Sequence, residues 1–164
     1  MLMPKKTKYR KSQKGKRGGK ATRKITVAFG DMGLVTTQPF WINARQIEAA
    51  RRVMTRYTKK GGQIWIRIFP DKPVTQKGGE TPMGKGKGGV DHYVAVVKPG
   101  MVLFEMGGIA PELIKEALTF AAHKLPVKCK TLNKAASRAA TSIRVKAEKP
   151  VEVVEEKAKE KGKK

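Results

Sequence analysis

NARQIEAARRVMTRYTKKGGQIWIRIFP, residues 43–70, changes its periodicity once, and that change decides the fold. In the first half Ile47, Ala50, Met54 and Tyr57 recur at steps of three and four, which predicts a helix over 44–58 with those four side chains facing the core. Asn43 is a suitable N-cap, and Gly61-Gly62 ends the helix. From Gln63 the period drops to two. Ile64, Ile66 and Ile68 fall on one face of a strand over 63–69, and Trp65, Arg67 and Phe69 fall on the other. Pro70 closes that strand, and Val74-Thr75 is placed as a possible extension of it.

Outward from this stretch the elements stay short. Residues 24–29 and 34–38 are strand candidates around the turn Gly30-Asp31-Met32-Gly33. Downstream, a glycine-rich loop covers 77–89. Residues 90–98 and 101–106 then read as two strands of a hairpin about the turn Pro99-Gly100. Pro111 suits the first turn of a second helix running to Leu125, with Leu113, Ile114, Ala117, Leu118, Ala121 and Leu125 as its apolar stripe. Pro126 stops it, and 127–132 is a last strand. Two helices with mostly antiparallel strands predict an α+β domain.

Charge divides the 164-residue chain into three parts. Residues 1–24 hold eleven Lys and Arg and no acid, among small polar residues and a single aromatic, Tyr9. Such a segment buries too little apolar surface to offset its chain entropy, so it is expected to be disordered when free and to lie along RNA phosphates when bound. Residues 25–133 form the body, with 16 basic and 8 acidic residues. Residues 134–164 are a low-complexity tail of Ala, Lys, Glu and Val, expected to be disordered and interrupted by Pro150.

The whole chain carries a formal charge of +24, which calls for a polyanionic partner. No apolar run approaches the roughly 20 residues that span a bilayer, so no membrane partner is expected. One cysteine, Cys129, rules out an internal disulfide in this chain and points to a reducing, cytoplasmic setting. His92 and His123 lack partners at a diagnostic spacing for catalysis or metal binding and read as structural.

The segment Gly79-Glu80-Thr81-Pro82-Met83-Gly84-Lys85-Gly86 comes close to a phosphate-binding P-loop. That motif needs Ser or Thr after its Lys, to hold magnesium, and then a helix. Here Gly86 follows the Lys, and a strand comes next. Gly84, Gly86 and Gly89 have dinucleotide-fingerprint spacing but again lack the helix. Neither a nucleotide-using enzyme nor a cofactor is expected. The loop does offer close backbone approach and two cations, Lys85 and Lys87. The outer face of the first helix presents Arg45, Arg51, Arg52, Arg56 and Lys59, which are either solvated or held against RNA. Arg67, between Trp65 and Phe69, is a further candidate for an RNA contact, while the two aromatics suit core packing.

Four blocks taken together carry a family likeness. They are Lys5-Lys6-Thr7-Lys8-Tyr9-Arg10-Lys11, Ala44-Arg45-Gln46-Ile47-Glu48-Ala49-Ala50-Arg51-Arg52, Ile64-Trp65-Ile66-Arg67-Ile68-Phe69-Pro70-Asp71-Lys72-Pro73 and Met83-Gly84-Lys85-Gly86-Lys87-Gly88. In order and spacing the chain resembles the bacterial large-subunit ribosomal protein L-sixteen family over residues 1–132.

The resemblance implies a hammerhead-like α+β fold and, as partners, large-subunit rRNA, A- and P-site tRNA and other large-subunit ribosomal proteins. It implies rRNA binding by the arm, through Lys5, Lys6, Lys8, Tyr9, Arg10, Lys11, Lys14, Lys16 and Arg17, and by the basic helix face. It also implies that Met83, Gly84, Lys85, Gly86 and Lys87 reach tRNA near the peptidyl transferase region. The chain departs from many relatives in carrying Pro82 where they carry Arg, and in its longer tail. Charge alone would also suit a free nucleic-acid-compacting protein, which co-sedimentation with large subunits separates from a ribosomal one.

Overall fold

The computed structural model describes residues 2–58, 61–80, 83–84 and 86–137. The elements run β1 (Met32–Thr36), β2 (Phe40–Asn43), α1 (Ala44–Thr58), β3 (Gln63–Ile66), β4 (Lys72–Gln76), β5 (Gly89–Val97), β6 (Val102–Gly107), α2 (Pro111–Ala122) and β7 (Cys129–Asn133). Residues 134–137 add a helical turn. The strands form two sheets, β3-β6-β1-β7 and β2-β5-β4, with every pairing antiparallel. This is the α+β class expected from periodicity.

α1 spans the residues its periodicity predicts. Asn43 N–H donates to Gln46 Oε1 at 3.0 Å, half of a capping box that satisfies a backbone group at the helix entry. Ile47, Ala50 and Met54 are fully buried. Tyr57 is only half-buried and stacks on Phe120 of α2. α2 begins at Pro111 as expected and ends at Ala122, short of Leu125, with His123 as its C-cap. The two helices pack on each other and on the four-stranded sheet, and Leu34, Phe104, Met106, Ile114 and Leu118 fill the space between.

Two expectations about the strands are corrected. Residues 90–98 and 101–106 are strands but not a hairpin. β5 is the middle strand of the small sheet and β6 pairs with β1 and β3 in the large one. Gly100, at φ 87°, swings the chain from one sheet into the other, and its N–H donates to Thr36 O at 2.8 Å. Both edges of each strand are taken by other partners, so none is left for its sequence neighbour. Val74 and Thr75 do not extend the Trp65 strand; they belong to a separate strand, β4, in the other sheet. β2, unforeseen in the sequence, completes that sheet.

Residues 24–29 form no strand, because their backbone donors are spent elsewhere. Ala28, Phe29 and Gly30 N–H groups all donate to the Glu105 carboxylate, at 3.1, 2.7 and 3.0 Å to Oε2. Gly30 passes so close to β6 that a Cβ there would lie 2.5 Å from the Met106 carbonyl oxygen, which excludes any other residue. β1 therefore starts at Met32, inside the expected turn. The Arg67 guanidinium pairs with the same carboxylate. Glu105 is fully buried. Burial alone would raise its pKa, but the Gly30, Phe29 and Ala28 N–H groups and Arg67 outweigh burial and hold it below the ordinary carboxylate range.

Candidate nucleic-acid interface

β4 and β5 pair antiparallel from Lys72↔Val94 to Gln76↔Gly89, with a register shift between Val74 and Thr75, and residues 77–88 connect the two strands. Met83 in that connection is 92% exposed. Gly84 and Gly86 have φ of 99° and 81°, a left-handed backbone open to glycine at little cost, and nothing packs where their Cβ atoms would be. At those two glycines the backbone is bare and open to a ligand. The strand β5 follows this connection, not the helix that a nucleotide-binding loop requires.

The N-terminal arm has no helix or strand and runs across the small sheet towards this hairpin. Leu2 and Met3 lie against Arg45 at the start of α1 and against Asp91–Tyr93 of β5, around a cleft of about 480 Å³. Further on, Lys11 Nζ donates to Lys87 O at 2.8 Å and Lys87 Nζ returns a bond to Ser12 O at 2.5 Å, so arm and hairpin base clasp each other. Lys72 Nζ donates to Lys14 O at 2.5 Å. Arg17 and Lys72 both stand over the Trp41 ring, 4.5 and 4.4 Å from its centroid. Ala21 N–H donates to Pro99 O at 3.0 Å, which fastens the end of the arm to the body.

The arm's cations thus meet carbonyls and rings. Among the described residues none of them forms an ion pair with a carboxylate. Their charge stays uncompensated, and Lys5, Lys6, Lys8, Tyr9, Arg10, Lys11, Lys14, Lys16 and Arg17 are all exposed. A cleft of about 280 Å³ between arm and small sheet, lined by Ser12, Lys14, Trp41, Lys72 and Lys87, also holds two polar atoms with no partner, Ser12 Oγ and Trp41 Nε1. Such a surface is chemically suited to phosphate oxygens.

The α1 arginines divide in two. Arg51 donates to both Glu48 oxygens, Nε to Oε2 at 2.9 Å and Nη2 to Oε1 at 2.6 Å, and Arg52 Nε reaches Oε1 at 3.4 Å. The Arg51 hydrogen bonds, aided by its charge and by Arg52, hold Glu48 down to about 2. Arg45 and Arg56 are exposed and make no ion pair among the described residues. One carboxylate against four guanidiniums leaves the face cationic.

Arg67 sits elsewhere. Its side chain is 17% exposed, bound to Glu105 and laid over the Phe29 ring at 5.1 Å, while Phe29 stacks on Trp65 at 6.2 Å. That engagement gives Arg67 a structural task apart from the arm surface. Lys59 and Lys85 lie outside the described residues, as do Pro82 and the tail from residue 138. Sequence reasoning missed Trp41 and Lys72. The signal was present in Phe40-Trp41-Ile42, an apolar aromatic run between Pro39 and the N-cap of α1.

A two-sheet α+β body with an acid-free basic arm laid over it and a glycine-lysine hairpin tip defines a class, the small basic proteins built into ribonucleoprotein particles. Residues 4–132 match the family model of ribosomal protein L16p/L10e, and the chain belongs to that family. It is accordingly a structural protein of the large ribosomal subunit, associated there with rRNA and other ribosomal proteins, in the cytoplasmic ribosome. No helix among the described residues is long and apolar enough to cross a membrane.

Proposed function

We propose that the arm, the small-sheet surface beneath it and the outer face of α1 hold large-subunit rRNA, and that the hairpin tip 83–87 reaches A- and P-site tRNA near the peptidyl transferase region. The observation that supports this most is the continuity of the basic surface. Arg45 adjoins the start of the arm, and the arm is clasped to the base of the hairpin through Lys11 and Lys87. In this reading the rRNA-bound arm acts as a strut for the tip. The tip offers glycine backbone and the point charges of its lysines, fit for phosphates rather than for reading bases.

The test replaces Lys85→Ala alone, because Lys87 also holds the arm. Occupancy of the variant on purified large subunits is measured first, and tRNA binding per occupied ribosome second, both across a salt series. The expected result is near-normal occupancy, weaker tRNA binding and a salt slope lower by roughly 0.7 to 0.9, the share of one phosphate contact. If occupancy collapses while tRNA binding per occupied ribosome stays unchanged, the tip is an rRNA anchor and the tRNA assignment fails.

A further inference from the structure

α2 buries Ile114, Ala117, Leu118 and Ala121 against the core, yet two large apolar side chains on the same helix face solvent. Leu113 is 46% exposed and Phe120 is 42% exposed. The sequence periodicity assigned Leu113 to the core; the structure rotates it out. At about 100° per residue, Leu113 and Phe120 lie within some 20° of each other around the helix, two turns apart. Glu116 falls between them along the axis, and Glu112 precedes it by one turn. The result is an apolar line flanked by an acidic one.

The apolar line is already ordered. Phe120 stacks on Tyr57 of α1 at 5.6 Å and 15°, and meets the edge of His123 at 6.1 Å and 83°. Its ring is thus held at the surface by neighbours on two sides. A rigid aromatic presented this way loses little further entropy on being covered.

Charge sets this flank apart from the arm and from the outer face of α1. Glu48 and Glu105 are spent on Arg51 and Arg67. Glu112 and Glu116 make no ion pair among the described residues. In a chain with 37 basic and 13 acidic residues, two unpaired carboxylates one turn apart are conspicuous beside exposed apolar side chains. Phosphates would be repelled here. Lys115, the cation of this helix segment, lies about 160° around the helix from Leu113.

We propose that this flank of α2 is a docking surface for another protein of the large subunit. The occupant would present a segment in which Lys or Arg residues alternate with apolar ones. Its apolar groups would cover Leu113 and Phe120, and its cations would pair with Glu112 and Glu116 at the rim. The proposal rests on the chain's place in the large subunit and is independent of the tRNA assignment of the hairpin tip.

The test places a photoreactive benzoylphenylalanine at position 113 of the full chain, and separately at position 116. Each variant is carried into large subunits, and co-sedimentation establishes occupancy before irradiation. Cross-linked peptides are then identified by mass spectrometry. The expected product is a cross-link to a basic segment of a second large-subunit protein. With the photoreactive residue at position 113, the yield should fall roughly tenfold when Glu112→Lys and Glu116→Lys turn two rim attractions into repulsions, with occupancy unchanged. Cross-links to rRNA, to a second copy of this chain or to nothing, in subunits that contain the variant, overturn the proposal. Failure of the unsubstituted chain to co-sediment would instead overturn the ribosomal assignment.

Discussion

Replacing Glu105→Gln should cost more stability than almost any other single change of similar size. The carboxylate is fully buried and accepts from three successive backbone N–H groups as well as from Arg67. Gln keeps the shape but offers one acceptor oxygen, and its amide nitrogen is turned into a donor among donors. Arg67, with only 17% of its side chain exposed, is left as a poorly solvated charge without its counter-ion. Breaking a buried pair from one side costs about 3–5 kcal/mol, out of a total stability of about 5–15 kcal/mol.

Urea unfolding of the free protein reads this directly. With a slope of about 1–3 kcal/mol/M, the midpoint should drop by roughly 2 M. The pH dependence provides a second reading. A carboxyl whose pKa is lowered in the fold contributes stability that is fully present above its unfolded pKa, about 4.3, and lost as pH falls through the folded value. The parent protein should therefore lose stability as pH falls below about 4.3. Glu48, lowered to about 2, adds to that limb in both proteins. The Gln variant should show a shallower acid limb, and the difference isolates Glu105. A stability loss under about 1 kcal/mol at pH 7, or identical acid limbs, would refute this account of the Glu105 knot.

Other outcomes follow from single contacts. Leu2 packs on the body, the arm from there to Gly19 is held by lysine ammoniums and ring contacts, and among the described residues its first backbone donor to the body is Ala21 N–H. Amide exchange on the free protein should accordingly be fast through residue 20 and protected at Ala21, and protection across the arm without RNA would contradict this. At the other end, Ser137 is 1% exposed and its Oγ accepts from Val27 N–H at 3.3 Å, while Lys134 N–H donates to Asp31 O at 2.9 Å. Truncation after Ser137 should leave stability and rRNA affinity intact, whereas truncation after Asn133 should cost about 1–3 kcal/mol by orphaning buried groups; equal thermal midpoints for the two truncations would count against it. Burial pushes the Cys129 thiol up to about 11 from an ordinary 9.0. Iodoacetamide at pH 8 should thus alkylate it roughly a hundredfold more slowly in the native than in the urea-unfolded protein, and equal rates would show that the thiol is not shielded.

Sequence alone determined the features that depend on near neighbours. The α1 boundaries, the Pro111 start of α2 and the strand character of 63–66, 90–97 and 102–106 are all local periodicities closed by Gly or Pro. The charge partition is likewise written in composition. Strand partnership was not, because a period of two says that a segment is a strand but not which edge it meets. β5 and β6 adjoin in sequence yet lie in different sheets.

The basic arm was legible as a charge run, but its course over Trp41 and its clasp with Lys87 needed the small sheet to exist first. Arg67 reads in sequence as an exposed strand cation. Only the fold brings Glu105, 38 residues away, beneath it and three backbone donors beside it. Leu113 shows the same limit on a helix. The apolar stripe implied by spacing is wider than the face the core can cover, and tertiary packing decided which of its residues was left outside.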